Sequence, residues 1–464
     1  MVFSSLIFIW MFLPVVFIGY IILPDRFKNI TLLFVSLIFY AWGEPKYIVL
    51  MICSIFINYV IGLLMERYEN KKKQLLIIGI ILNIAILGYF KYFNFLIDII
   101  NLFIKQDLTL LDISLPIGIS FFTFQILSYI IDLYRGQYKA QKNIVNLALY
   151  ISFFPQLIAG PIVRYKDINQ QLDSRRQTLE QIAAGIRRFI YGLGKKIIIA
   201  NTVAQCVDKI YAIDYADISG VTAWIGAMCY MLQIYYDFSG YSDMAIGLGK
   251  MFGFEFLENF NYPYLSASIQ EFWQRWHISL GTWFREYLYI PMGGNRKGVS
   301  RTYINLLIVF IVTGLWHGAS FNFILWGLYH GLLQIIERVG LSNILKKHKV
   351  VAHLYVFITV IFGWVLFRAE GLTQAIGIIK RMVLPWKYKE DVLIMGSIFG
   401  NKTLLIILIG IFGCGLFQYA VKKIRFAEKW RNSYLEMAYC GMVFVLCIVM
   451  LAGNTYNPFI YFRF

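Results

Sequence analysis

Tyr303-Ile-Asn-Leu-Leu-Ile-Val-Phe-Ile-Val312-Thr-Gly314-Leu-Trp-His317-Gly-Ala-Ser320 is an apolar run, without a formal charge, that ends on an imidazole. Runs of the same character recur at Leu75 to Phe90, Val351 to Phe367 and Leu404 to Val421, each long enough to span a bilayer or to form the core of a span. Backbone polar groups in lipid must be paired internally, so these runs predict helices. A barrel would show short segments of alternating polarity, and these runs are continuously apolar. The whole chain agrees: 464 residues that are 59% hydrophobic and 15% charged, with a mean hydropathy of +0.64, carry too much apolar surface for a water-soluble core. The expected architecture is an all-α polytopic membrane protein with about 11–12 transmembrane helices plus re-entrant and interfacial helices. It forms one integral-membrane domain over residues 1–464, without repeats or low-complexity linkers. The opening segment, Val2 to Leu23, has neither a basic start nor a small-residue cleavage site, and reads as a retained span.

A formal charge of +17 would suit nucleic acid. The basic residues, however, sit in short loops between apolar runs, where the positive-inside bias accounts for them, so the expected surroundings are membrane lipids and no nucleic acid. With the first residues outside, the lysine run of Glu66 to Lys73, the basic stretch Arg135 to Lys142, Lys346 to Lys349 and Lys422 to Arg431 all fall inside, while Asp98, Asp107 and Asp112 fall outside. Ile144 to Val163 breaks the alternation, because basic residues flank both of its ends. Pro155 and Gly160-Pro161 interrupt helix hydrogen bonding there, so a re-entrant hairpin is predicted. The six cysteines are scattered without metal-like or disulfide-framework spacing, and packing accounts for them.

Three of the five histidines lie between Ser266 and His330. The first stands in Gln270-Glu-Phe-Trp-Gln-Arg-Trp-His277-Ile-Ser-Leu-Gly-Thr-Trp-Phe-Arg-Glu-Tyr287. Read as a helix, that string pairs Glu271 with Arg275 and gathers Phe272, Trp276 and Trp283 toward one stripe, as an interfacial helix would. This accounts for the aromatics and leaves His277 without a role, so His277 is a functional candidate. His317 is the stronger one. Glycines at 314 and 318 permit close approach by another backbone or a substrate, and a buried neutral imidazole can take a proton from a hydroxyl or thiol. The plain alternative is a histidine satisfied by a neighbouring carbonyl. His330, Asn322 and Asp237 are candidates for supporting these groups. Asp237 could orient a catalytic side chain, and Asp243, beside a Gly-Ser break, reads as a helix cap. No phosphate-binding loop, His-Glu-x-x-His string, paired metal ligands or Gly-x-Ser-x-Gly elbow occurs, and no bound cofactor or metal is expected.

The strings Tyr40-Ala-Trp-Gly-Glu-Pro, Ala159-Gly-Pro-Ile-Val-Arg-Tyr, Tyr236-Asp-Phe-Ser-Gly-Tyr-Ser-Asp, Phe272-Trp-Gln-Arg-Trp-His-Ile-Ser-Leu, Tyr289-Ile-Pro-Met-Gly-Gly-Asn-Arg and Gly314-Leu-Trp-His-Gly-Ala resemble the membrane-bound O-acyltransferase (MBOAT) family, in its bacterial alginate O-acetyltransferase branch. The resemblance implies a helical ring around a thin centre, with His317 as the essential residue and His277 as its partner. It implies acetyl-CoA as the cytoplasmic donor, a bacterial cytoplasmic membrane, and an extracytoplasmic polysaccharide as acceptor. It also implies a separate partner of the SGNH-hydrolase type that receives the acetyl group. The phosphates of such a donor need cations, for which Arg275, Arg285, Arg296 and Lys297 are the candidates. D-alanyl transfer to a cell-wall polymer is the neighbouring alternative, and export of a polysaccharide or lipid-linked sugar the alternative of a different class. His317 is expected to be reachable from both membrane faces, through room left around Gly314, Gly318, Ser320 and Asn322.

Overall fold

A computed structural model describes residues 1–104, 108–388, 396, 398–417, 433–453 and 456–460. Asp107, the basic block 422–431 and residues 461–464, which bear on the expected topology, lie outside these. Among the described residues the regular structure is helical, apart from a single isolated bridge between Phe260 and Trp276, as the continuously apolar runs require. Among the described residues, five helices are long and apolar enough to cross a membrane: Ile48–Arg67, Glu69–Ile104, Val299–His317, Lys349–Arg368 and Tyr434–Gly453. Three shorter ones, Phe8–Ile22, Ile119–Tyr134 and Asn401–Leu416, are also apolar. Other apolar stretches of the sequence are divided by turns or wider π turns into shorter pieces.

The chain divides into two compact units, Met1–Phe189 with Ser242–Leu257, and Ile190–Tyr241 with Glu258–Phe464. In the first, the helices Ile48–Arg67 and Lys72–Ile104 are clamped by Asn58 and Asn83, whose buried side chains exchange amide hydrogen bonds of 3.2 and 2.9 Å. Polar pairs of this kind replace the hydrophobic drive that helices lack in lipid. The predicted hairpin is present in form: a helix Ile144–Ser152 ends at Phe153, and a single turn Phe154–Leu157 follows with Pro155 in its first positions, where its missing N–H costs nothing. The chain then doubles back, since the Tyr150 hydroxyl donates to the Val163 carbonyl at 3.0 Å. A nine-residue helix rises only about 13 Å, too little to cross the hydrocarbon layer.

Asp243 is not a cap. The helix Gly220–Met251 runs unbroken through Ser239 and Gly240, and Asp243 pairs from within it with Arg188 at 2.6 Å. Gly240 serves packing instead, because a Cβ there would stand 2.8 Å from the Gly192 carbonyl oxygen.

In the second unit, Val299–His317 and Phe321–Ile336 form a tight helical hairpin. A Cβ on Gly314 would stand 2.1 Å from the Phe323 carbonyl oxygen, and one on Gly327 would stand 2.2 Å from that of Phe310, so the two backbones touch. Gly318 faces the Phe323 ring just as closely. The room expected at positions 314 and 318 is therefore filled by the facing helix. Around this hairpin a buried aromatic core collects Phe272, Trp276, Trp326, Trp364 and Phe367 with the apolar side of Gly220–Met251. Five of the six cysteines are buried and none is bonded to another.

Candidate active site

The 270–287 string is not one helix. Ile269–Arg275 is helical and carries the expected Glu271–Arg275 pair at 2.7 Å. Trp276 then turns extended and His277 adopts the left-handed conformation, φ 46° and ψ 54°, before a second helix, Ile278–Phe284. A positive φ on a residue other than glycine costs on the order of 1 kcal/mol and persists only where its surroundings hold it. Here residues 259–261 run antiparallel to 275–278: the Asn261 N–H donates to Arg275 at 2.9 Å and the Ile278 N–H to Asn259 at 3.0 Å, with the Phe260–Trp276 bridge between. Glu337 holds the start of the first helix, accepting the N–H groups of Ile269 and Gln270 at 2.5 and 3.1 Å. The segment is a built piece of the core, with Phe272 and Trp276 stacked at 5.7 Å and buried, and the interfacial reading gives way to that burial.

This break aims His277 inward. Its Nδ1 lies 3.1 Å from Asn259 Oδ1. The same oxygen accepts the Ser279 N–H at 3.2 Å and the Ser279 hydroxyl at 2.8 Å. A backbone N–H can only donate, so the amide atom facing it is the oxygen, and His277 must donate from Nδ1. Its Nε2 lone pair is thereby left as the basic site. The ring is 1% exposed, and burial pushes its pKa down to about 3, which keeps it neutral.

His317 ends the helix Val299–His317 and lies among the rings of Trp316, Trp326 and Phe367, at 4.8, 5.2 and 5.1 Å. A cavity of ≈ 20 Å³ opens beside it, lined by Ile234, Phe238, Trp276, His317, Trp326, Trp364, Phe367 and Ile460. His317 is the one ionisable group among these eight residues. His277 is not among the lining residues: it packs edge-on against Phe238 at 4.6 Å and stands 6.0 Å from the Trp316 ring, which His317 also meets, at 4.8 Å.

The other candidates fall around this pair at different distances. His330 packs on the Trp326 ring at 5.1 Å, the ring that His317 meets at 5.2 Å. Asn322 donates to the Ala369 carbonyl at 3.0 Å and ties the hairpin to the chain after Lys349–Arg368. Asp237 orients neither histidine. It pairs with Lys196 at 2.5 Å, both side chains being 2% exposed, and accepts the Ile460 N–H at 2.8 Å. Arg275 is engaged by Glu271 and the Asn261 carbonyl, whereas Arg285, Arg296 and Lys297 are exposed. Sequence reasoning missed Asn259, Lys196 and Ile460. Only Lys196 carried a signal, a lysine next to the apolar Ile197-Ile-Ile-Ala200 stretch, where a buried charge needs a partner.

Chemically, the site offers an imidazole at a small, aromatic-walled cavity. The family model of the membrane-bound O-acyltransferase family matches residues 137–373, which contain both histidines and Asp237. The chain is 40% identical, over the whole of both chains, to a probable alginate O-acetylase of Pseudomonas putida. It is 39% identical to a peptidoglycan O-acetyltransferase of Helicobacter pylori, over 82% of this chain and 80% of that one. It is 31% identical to a teichoic acid D-alanyltransferase of Bacillus subtilis, over 47% of this chain and 58% of that one.

Proposed function

The chain belongs to the membrane-bound O-acyltransferase family and is a multi-pass membrane enzyme of O-acetylation; from that premise we propose that it moves an acetyl group from cytoplasmic acetyl-CoA to an extracytoplasmic polysaccharide, with His317 as the general base. The observation that carries this reading is His317 standing as the sole ionisable group among the described residues that line an apolar cavity. A low-polarity wall strengthens the attraction between the opposite charges that form together during the reaction.

The step is acyl substitution at the thioester. The acceptor hydroxyl adds to the thioester carbonyl while His317 takes its proton. The tetrahedral adduct collapses, the carbon–sulfur bond breaks, and the imidazolium returns the proton to the departing thiolate. His277 supports this through the Trp316 ring that both histidines meet. The acceptor hydroxyl belongs either to the polymer or to a separate SGNH-type protein that carries the acetyl group onward in the space outside a bacterial cytoplasmic membrane. Relatives named for alginate and for peptidoglycan point to a sugar hydroxyl as the final acceptor. Acetyl is favoured over D-alanyl because none of the described residues that line the cavity carries a carboxylate to receive an ammonium group. The kinship with acyltransferases sets aside the sugar exporter.

Replacement of His317 tests the reading. His317→Gln keeps most of the ring contacts filled and should lower acetyl-CoA cleavage and acetyl transfer by about 10²- to 10⁴-fold, the usual worth of a positioned base. Turnover within a factor of about three of the parent would remove His317 from the chemistry.

A further inference from the structure

Ile460 closes the cavity from an unusual place. It stands beyond the residues that the family model matches, and the segment that delivers it, 456–459, has no secondary structure of its own. Side chains of neighbouring helices hold that segment residue by residue. The Tyr456 hydroxyl donates to Asp208, and Asn201 donates to the Asn457 side chain at 3.1 Å. The Lys196 ammonium donates to the Pro458 carbonyl, the Phe459 ring stacks on Tyr241 at 4.6 Å, and Asp237 accepts the Ile460 N–H at 2.8 Å. Lys196 and Asp237 are also paired with each other at 2.5 Å in full burial. Apolar isosteres would pack such a position at least as well as an ion pair does, so the pair calls for a reason beyond stability. Each partner uses a second bond to fix the backbone at 458 or 460, and that is the reason available. Most of the other cavity walls are interlocked aromatics, with Trp276 against Trp364 at 4.8 Å and Trp326 against Phe367 at 5.1 Å, and the second aliphatic wall, Ile234, is fixed within the helix Gly220–Met251, whereas Ile460 faces the same space from a segment outside the long helices.

We propose that Ile460 is the specificity-determining wall of the acyl site, limiting the group bound beside His317 to two carbons, and that Lys196 and Asp237 are positioning residues that seat it there. The size limit rests on reading the cavity as the acyl site. A cavity of ≈ 20 Å³ leaves room for about one water- or methyl-sized group, the methyl end of an acetyl chain, and each added methylene must displace Ile460, Ile234 or one of the locked rings.

The experiment compares acetyl-, propionyl- and butyryl-CoA as donors for the full-length protein in detergent. Ile460→Ala should raise the butyryl-to-acetyl ratio of kcat/KM by about tenfold or more, the scale on which pockets discriminate methylenes. Ile460→Phe should lower the propionyl-to-acetyl ratio. Ratios unchanged in both variants overturn the size limit, and a parent that cleaves none of the three thioesters overturns it together with the acetyl-CoA reading. Seating is measured without any donor. In a variant lacking the six native cysteines, the thiol introduced by Ile460→Cys should resist a maleimide while Lys196 and Asp237 are intact. Asp237→Asn should speed its labelling about tenfold or more, since a buried ion pair that loses one partner no longer holds the segment. Where Asp237→Asn does not fold, Lys196→Met combined with Asp237→Leu replaces it. Equal labelling with and without the pair overturns the positioning role, whatever the donor.

Discussion

Asn259 Oδ1 accepts from His277 Nδ1 at 3.1 Å and from both polar groups of Ser279, so one amide oxygen decides which nitrogen of the buried imidazole is basic. Removing that oxygen frees the ring to adopt the other tautomer, in which Nε2 carries the hydrogen and is no longer a base. Asn259→Ala should therefore lower turnover by about tenfold to a hundredfold, the range seen when a group that orients a functional histidine is lost. Steady-state kinetics normalised to folded protein would show the loss in kcat with KM for the donor little changed, whereas a purely structural defect would lower the folded fraction and leave kcat per folded molecule at the parent value.

The left-handed backbone at His277 separates its structural cost from its function. His277→Ala places a Cβ residue at φ 46°, while His277→Gly removes the strain, so the glycine variant should be the more stable of the two by about 1 kcal/mol. Both should lose turnover to a similar degree. Thermal unfolding paired with activity decides this: a glycine variant that regains activity along with stability would reduce His277 to a backbone hinge.

Burial holds the His277 pKa at about 3, against an ordinary value of 6.5 that the unfolded chain recovers. Between these values the unfolded state binds a proton that the folded state refuses, so stability falls as pH drops through 6.5 and this loss ends near 3. The slope from one such group is at most about 1.4 kcal/mol per pH unit. Melting curves between pH 8 and 5 should show the parent losing stability faster than His277→Gln, which has no group to titrate there. Parallel curves would exclude a neutral, buried His277.

Donor phosphates should be met by the exposed Arg285, Arg296 and Lys297 and not by Arg275, which Glu271 already neutralises at 2.7 Å. Arg285→Ala or Arg296→Ala should raise KM for acetyl-CoA about fivefold, the effect of losing roughly 1 kcal/mol at an exposed ion pair, with kcat nearly constant. Arg275→Ala should leave KM within about twofold. The reverse order would move the phosphate site to Arg275.

The sequence by itself determined that this is a helical membrane protein, because continuously apolar runs leave the backbone no partner but itself. It also singled out His317 and His277, since an imidazole in such surroundings is costly and visible, and it foretold the break near Pro155, where the helix bond is chemically missing. Each of these signals is local, written in the residues themselves or in their near neighbours. The tertiary structure decided the rest. It ended the helix at Arg275, because pairing with residues 259–261 and burial of Trp276 outweigh the helical spacing of Phe272, Trp276 and Trp283. It filled the space at Gly314 and Gly318 with Phe323, because glycines invite any close neighbour and only the facing helix says which one arrives. It gave Asp237 to Lys196, His277 to Asn259 and the His317 cavity to Ile460. None of these pairings leaves a spacing to read, since hydrogen bonds and van der Waals contacts act over a few ångströms in space and the partners lie on elements that only packing brings together.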